Sequence, residues 1–320
     1  MLDFAVNVRA AAPPSWLMDR LAARFGDLGR YPTRADEDAA TAAIAARHGR
    51  RDDEVVLLAG ATEGFSLLPN LRPRIAAVIA PSFTEPEAVL SAAGVPVQHV
   101  VLPPPFGLSG AHVPDEADLV VVGNPTNPTA VLHPREHILR LRRPGRIVVV
   151  DEAFADAIAG EPESLAPGSP PDVLVVRSLT KTWSLPGLRV GYALGDPRVL
   201  HRLTATRPHW PLGTLQLEAL AACNQSGAVA EALADAARLT EMRAKMADAL
   251  TGAGARVVDG SAPFVLFEVP DAELVRKRLL AKGIAVRRCD TFIGLDGEYL
   301  RAAVRPEWPR MITALAEILP

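Results

Sequence analysis

The chain has 320 residues, 49% of them hydrophobic and 22% charged, with 34 Lys+Arg against 37 Asp+Glu and a net charge of −3. This is the profile of an ordinary globular protein with room for one or two domains; it excludes a basic nucleic-acid footprint and a polybasic membrane segment. Two cysteines, Cys223 and Cys289, exclude a disulfide framework, and no apolar run reaches membrane-spanning length, so a cytoplasmic protein without a signal peptide is expected.

Seven short apolar, β-branched runs follow one another at Val55–Ala59, Ile75–Ala80, Val97–Leu102, Leu119–Val122, Ile147–Val150, Val173–Val176 and Val190–Leu194. Near-continuous apolar character marks strands buried on both faces, as in a parallel α/β sheet. Helices are expected between them at Glu63–Leu68, Glu85–Ala93 and Pro134–Leu141. From about residue 212 the pattern changes. Gln216–Leu250 reads as one or two long helices, followed by strands at Ala255–Val258 and Phe264–Val269 and a helix at Ala272–Lys282. Strands at Ile284–Arg288 and Tyr299–Val304 and a helix at Pro309–Leu319 complete an α+β unit. The expected division is a large α/β domain over 30–211 and a smaller domain made of 1–29 with 212–320.

Candidate site residues fall where these strands end, as they do in open α/β sheets. Lys181 follows Val173–Val176, with Ser178 three residues before it and Arg189 eight after. Lysine forms Schiff bases with carbonyl compounds, and a hydroxyl with a guanidinium suits a phosphate dianion. Together they suggest pyridoxal 5'-phosphate (PLP). Gly60, Ala61 and Thr62 open a helix with small residues that let backbone N–H groups approach a phosphate. Asp151 ends Ile147–Val150; a buried carboxylate there needs a cation such as a protonated pyridine nitrogen, although an N-cap role fits it as well. Asn127, in Asn124-Pro125-Thr126-Asn127-Pro128-Thr129, could donate to a phenolate oxygen or merely form a rigid turn. Phe83 is a candidate to stack on a ring, or a core aromatic. Arg301 and Arg305 share one face of the expected final strand, a pair suited to a carboxylate or phosphate.

In this order the motifs resemble the fold-type I PLP enzymes, the aspartate aminotransferase superfamily, from about Asn7 to Arg305. That resemblance implies a mostly parallel seven-stranded sheet layered with helices plus a smaller α+β domain. Lys181 would then hold the cofactor covalently and shuttle protons, with Asp151 on the pyridine nitrogen, Asn127 on the phenolic oxygen and Phe83 on the ring. Ala61, Thr62, Ser178 and Arg189 would take the phosphate. Tyr31 looks like a tyrosine that reaches the phosphate from a partner subunit, implying a homodimer with shared sites. Arg301 matches the substrate-carboxylate arginine, and Asn7 an N-terminal substrate contact.

Within the superfamily, SLTK, LPGLRVGY and RAAVR resemble the branch that holds histidinol-phosphate aminotransferases and the threonine-phosphate decarboxylases of cobalamin synthesis. The implied activity is transamination of a small phosphorylated amino compound such as histidinol phosphate, with 2-oxoglutarate and glutamate as the partner pair. Decarboxylation of L-threonine O-3-phosphate is the alternative, and a non-catalytic binding protein of this fold a remote one. No metal is expected. Three positions depart from the branch pattern: Phe154 where many aminotransferases have a tyrosine, Ala130 in place of the glycine of NPTG, and Arg9 where a second asparagine is common.

Overall fold

The computed structural model describes every residue except Arg9 and Pro320, so the departure at Arg9 lies outside the described residues. After a short N-terminal strand β1 (Leu2–Asp3), the seven expected runs appear as β2 (Val55–Leu58), β3 (Ala76–Ala80), β4 (Val97–Val101), β5 (Leu119–Gly123), β6 (Ile147–Asp151), β7 (Val173–Ser178) and β8 (Gly191–Leu194). They form one sheet in the order β2-β8-β7-β6-β5-β3-β4. Only β8 runs against its neighbours; the other pairings are parallel. The apolar runs are continuous because both faces are buried. Val120, Val148, Val150, Val173 and Val175 pack on one side, and Val121, Val149, Leu174 and Val176 on the other.

The C-terminal part contributes β9 (Arg256–Val257), β10 (Phe264–Glu268), β11 (Ile284–Ala285), β12 (Arg287–Arg288) and β13 (Tyr299–Ala303). A four-stranded antiparallel sheet has the order β12-β13-β10-β9, while β11 pairs with β1. The expected strand Ile284–Arg288 is thus broken at Val286: its first half serves β1 and its second half turns to β13. The final strand stops at Ala303, two residues short of Arg305. A second apolar core forms here around Phe4, Met246, Val265, Phe267, Leu279, Leu300 and Met311.

Gln216–Leu250 resolves into two helices, Thr214–Cys223 and Ser226–Gly252. Three helices not foreseen in the sequence are Ser15–Ala23, Arg34–His48 and Pro197–Leu203. The second starts on a capping box, with Thr33 accepting from the Asp36 N–H and the Asp36 carboxylate accepting from the Thr33 N–H, and ends on Gly49 in the left-handed region. Leu17, Leu21, Leu217 and Leu220 join the core of the large sheet. Ser15–Ala23 and Thr214–Cys223, which the expected division at 29/30 and 211/212 assigns to the smaller domain, pack with the larger body.

Candidate active site

A cavity of about 320 Å³ opens over the carboxyl edge of the large sheet, between it and the four-stranded sheet. Its walls include Ala61, Thr62, Phe83, Asn127, Asp151, Ser178, Lys181, Arg189, Arg301 and Asn7. These ten residues, dispersed over some 295 positions of sequence, are therefore brought together as expected.

The strand ladder explains how. Gly123 stands opposite Asp151, and Asp151 opposite Val176, so the ends of β5, β6 and β7 are level. The Asn124 N–H donates to the Asp151 carbonyl at 2.8 Å and launches the 124–130 turn from the same edge. Within it Ala130 sits at φ +65°, a conformation that favours glycine and that accounts for the glycine usual at this place. The Asp151 carboxylate accepts from the Ala153 N–H at 3.0 Å. Burial, aided by the neighbouring Glu152 charge, pushes its pKa up to about 6, and Lys181 only partly opposes this. Lys181 is shifted the other way: burial first, then Arg189 and Arg301, lower its pKa. More of its amine is therefore in the neutral form, free to act as a base or nucleophile, than in an exposed lysine.

At one end the walls form an anion cradle. Gly60 has φ +81°, and a Cβ placed on it would lie 2.8 Å from Arg189 Nη2, so glycine there both permits the turn and makes room for the guanidinium. Ala61 and Thr62 open the helix Ala61–Ser66, whose first N–H groups have no intrahelical acceptor. Arg189 Nη2 donates to Thr62 Oγ1 at 3.3 Å. Arg189 itself is in the left-handed region at φ +61°, a strained backbone that aims its side chain back at the turn, and Gln216 Nε2 holds its carbonyl at 2.8 Å. Behind the turn, Glu63 accepts from the Ala59 N–H and is gripped by both arms of Arg207. Gly191 seals the cradle to β7: an added Cβ would lie 2.6 Å from the Arg177 carbonyl and 2.9 Å from the Ala61 nitrogen. Gly191→Ala is accordingly expected to destabilise the fold by about 1–3 kcal/mol, measured as a lower urea midpoint at unchanged slope.

At the other end lie the guanidiniums. Arg301 is buried; Nη1 donates to Asn127 Oδ1 and Nη2 to the Ala5 carbonyl at 2.7 Å, and the group lies 5.2 Å from the Phe264 ring centroid. Burial lowers its pKa to about 10, still leaving it charged at neutral pH. Phe154 meets Phe264 edge-on at 5.0 Å, so the ring that replaces a tyrosine is an apolar wall of the cavity. Asn7 Oδ1 is buried without a hydrogen-bond partner beside the cavity.

Two expected residues are placed elsewhere. Arg305 is not among the walls of the cavity; it lies two residues beyond the end of β13, and its Nη2 donates to the Val6 and Val8 carbonyls at 3.2 and 3.0 Å. Tyr31 stands apart, exposed and stacked on Trp210 at 4.6 Å. The cationic partner to Arg301 is instead Arg287, which the sequence reading missed. It lies opposite Arg301 in the β12–β13 register and lines the cavity. The available signal was the pair Arg287-Arg288 within a strand candidate, where one of two adjacent side chains must face Arg301.

The family model for class I and II aminotransferases matches residues 1–312. The chain belongs to that family. Among relatives of this aminotransferase, a histidinol-phosphate aminotransferase of Mycobacterium tuberculosis (strain H37Rv) is 65% identical over 317 residues, 99% of this chain and 87% of that protein. A threonine-phosphate decarboxylase of Salmonella typhimurium is 28% identical over 336 residues, covering 100% of this chain and 91% of that protein. The solved histidinol-phosphate aminotransferase of Clostridium acetobutylicum superposes with a TM-score of 0.91 at 24% identity, covering 99% of each chain. That of Sinorhizobium meliloti, solved with pyridoxal-5'-phosphate, does so at 0.85 and 18% identity, over 100% of this chain and 90% of the other. The mostly parallel sheet and the aminotransferase assignment expected from the sequence are borne out.

Proposed function

We propose that the protein is a PLP-dependent aminotransferase that takes histidinol phosphate, or a close phosphorylated amino compound, with 2-oxoglutarate and glutamate as the partner pair. The observation that carries this is the pair Arg287 and Arg301 on adjacent strands, facing Lys181 and Asp151 across one cavity. The 65% identity to a histidinol-phosphate aminotransferase supports the same reading, against 28% for a decarboxylase.

The residues fit the cofactor. The cradle at Gly60–Thr62, Ser178 and Arg189 suits its phosphate, and the space that a Cβ at Gly60 would fill belongs to the arginine of that cradle. Asp151 suits a protonated ring nitrogen, which would draw its carboxyl back to the ionised form. Phe83 suits a ring face, and Asn127, with its carbonyl committed to Arg301, has its amide N–H group left to donate to a phenolic oxygen. Bound there, PLP supplies an electron sink for bonds at the substrate α-carbon. Lys181, its pKa lowered, is the group that would hold and move the substrate's α-proton. Arg301 and Arg287 hold the anionic end of the substrate so that the α-hydrogen faces Lys181. Phe154 and Phe264 keep water from that space.

The exposed apolar surface at Phe25, Leu28, Tyr31 and Trp210 supports a homodimer in which Tyr31 serves the partner's cradle. Among the described residues no helix is long and apolar enough to cross a membrane, and we place the enzyme in the cytoplasm.

The deciding experiment supplies PLP-loaded protein with histidinol phosphate and 2-oxoglutarate, or with threonine phosphate alone. Glutamate is expected from the first mixture; carbon dioxide from the second without glutamate would replace transamination by decarboxylation. Arg287→Ala is expected to raise KM for the phosphorylated substrate about tenfold with a smaller change in kcat, in steady-state assays, since it removes one exposed charge-assisted contact.

A further inference from the structure

On the side of the large sheet turned away from the cavity lies a group of buried charges that the mechanism above does not use. Glu152 directly follows Asp151, and Arg177 directly precedes Ser178, so alternation along β6 and β7 sends each away from its site neighbour. Arg177 is 1% exposed and Glu152 likewise 1%. Arg177 Nη1 donates to Glu152 Oε2 at 2.8 Å and to Glu161 Oε2 at 2.6 Å, and Nη2 donates to Asp156. Glu152 also accepts from Ser164 Oγ and from the Leu165 N–H, each at 2.7 Å. Arg47, from the helix Arg34–His48, closes the set on Asp156 at 2.8 Å and Glu161 at 2.9 Å. Asp156 in turn lines a second, narrower cavity that also touches Lys181.

Withdrawing two guanidiniums and the carboxylates of Glu152 and Asp156 from water, with Glu161 partly exposed beside them, costs several kcal/mol per buried ion, and apolar side chains of equal volume would fill the same space without that cost. What the planar guanidinium adds is a fixed fork that bridges separate chain segments at set angles. Here the bridged segments are the end of β6, the end of β7 and the 155–165 loop: the first two carry Asp151 and Ser178 of the site, and the loop directly follows the wall residue Phe154.

We propose that Arg177 and Glu152 are positioning residues: a buried staple behind the sheet that fixes the spacing of Asp151 and Ser178, and so the distance between the ring-nitrogen and phosphate ends of the cofactor seat. This rests on the PLP reading above. The pair acts through its neighbours and touches neither cofactor nor substrate.

The test compares wild type, Glu152→Gln and Arg177→Lys, each held at a temperature where far-UV circular dichroism shows it folded. PLP is titrated into cofactor-free protein, and the pH midpoint of the bound cofactor's visible absorbance is recorded. Both variants are expected to raise the PLP dissociation constant by about ten- to hundredfold, the size that outer-shell partners carry at metal sites, and to move the pH midpoint. Lysine keeps the charge but cannot bridge Glu152 and Asp156 together, so it is not expected to rescue. A purely structural pair would lower the melting temperature and leave both readouts unmoved. Dissociation constants within twofold of wild type, with unmoved midpoints, overturn the proposal. Should Glu152→Gln not fold, Arg177→Lys alone decides by the same limits. A wild type that takes up no PLP overturns the cofactor reading itself, and this proposal with it.

Discussion

Lys181→Ala is expected to retain PLP only by noncovalent contacts and to lose about 10²- to 10⁴-fold in turnover, the range that one positioned proton-transferring group supplies. The expectation follows from placement. Lys181 stands in the loop beyond β7, in the same cavity as Asp151, Asn127 and Ser178, and among the described residues no other lysine lines that cavity. Its cationic neighbours Arg189 and Arg301 carry guanidinium groups that donate hydrogen bonds but have no acceptor for a proton, and cannot substitute. Glutamate formation from histidinol phosphate measures turnover, and cofactor retained on dialysis measures the lost covalent hold. A variant within tenfold of wild type would show that the α-proton moves through another group.

Asp151→Asn is expected to act in opposite directions on stability and on turnover. The Asp151 carboxyl is pushed up to about 6 from an ordinary 3.8, with burial as the chief cause. A carboxyl whose folded pKa is raised favours the fold below its unfolded value and gives up that contribution as pH rises through the folded one. In the cofactor-free protein at pH 8 the ionised group therefore costs roughly 2–3 kcal/mol. Asparagine keeps an oxygen for the Ala153 N–H and removes the charge. Cofactor-free Asp151→Asn is thus expected to melt above wild type at pH 8, with the difference vanishing near pH 4. With PLP bound, the missing carboxylate no longer holds the ring nitrogen protonated, and turnover is expected to fall about 10²- to 10³-fold, as when one preorganised electrostatic partner is removed. Melting scans with and without PLP at the two pH values check both halves. A cofactor-free variant less stable than wild type at pH 8 would mean that the carboxylate is held by a cation even without the cofactor.

Much of this architecture was legible because a parallel sheet covered on both faces writes itself as uninterrupted apolar runs, and because its site residues lie where the runs stop. Asp151 and Ser178 close β6 and β7, and Gly60 and Asn127 lie just beyond β2 and β5. The second sheet was less legible. Its strands are short, and Ile284–Arg288 divides its pairing between two partners, which no local pattern announces. Arg305 falls outside the cavity because the Val6 and Val8 carbonyls, remote in sequence, take up its guanidinium, whereas the importance of Arg287 depends on standing opposite Arg301. The staple of Arg177, Glu152, Asp156, Glu161 and Arg47 was beyond reach for another reason. Arg47 and Asp156 are 109 residues apart, and in sequence each looks like an ordinary surface charge.

The contacts of Arg301 carry a consequence for how the enzyme would fail under stress. The proposed cofactor seat is assembled from the large sheet and its loops, while Arg301 and Arg287 arrive from the smaller sheet, Arg301 touching the seat through Asn127. Order in the two sheets is therefore separable in principle. Heat or denaturant that loosens the smaller sheet first would leave a protein still coloured by its cofactor yet blind to its substrate. Spectral occupancy would then overstate the active fraction, and a rising KM would be the earliest sign of damage.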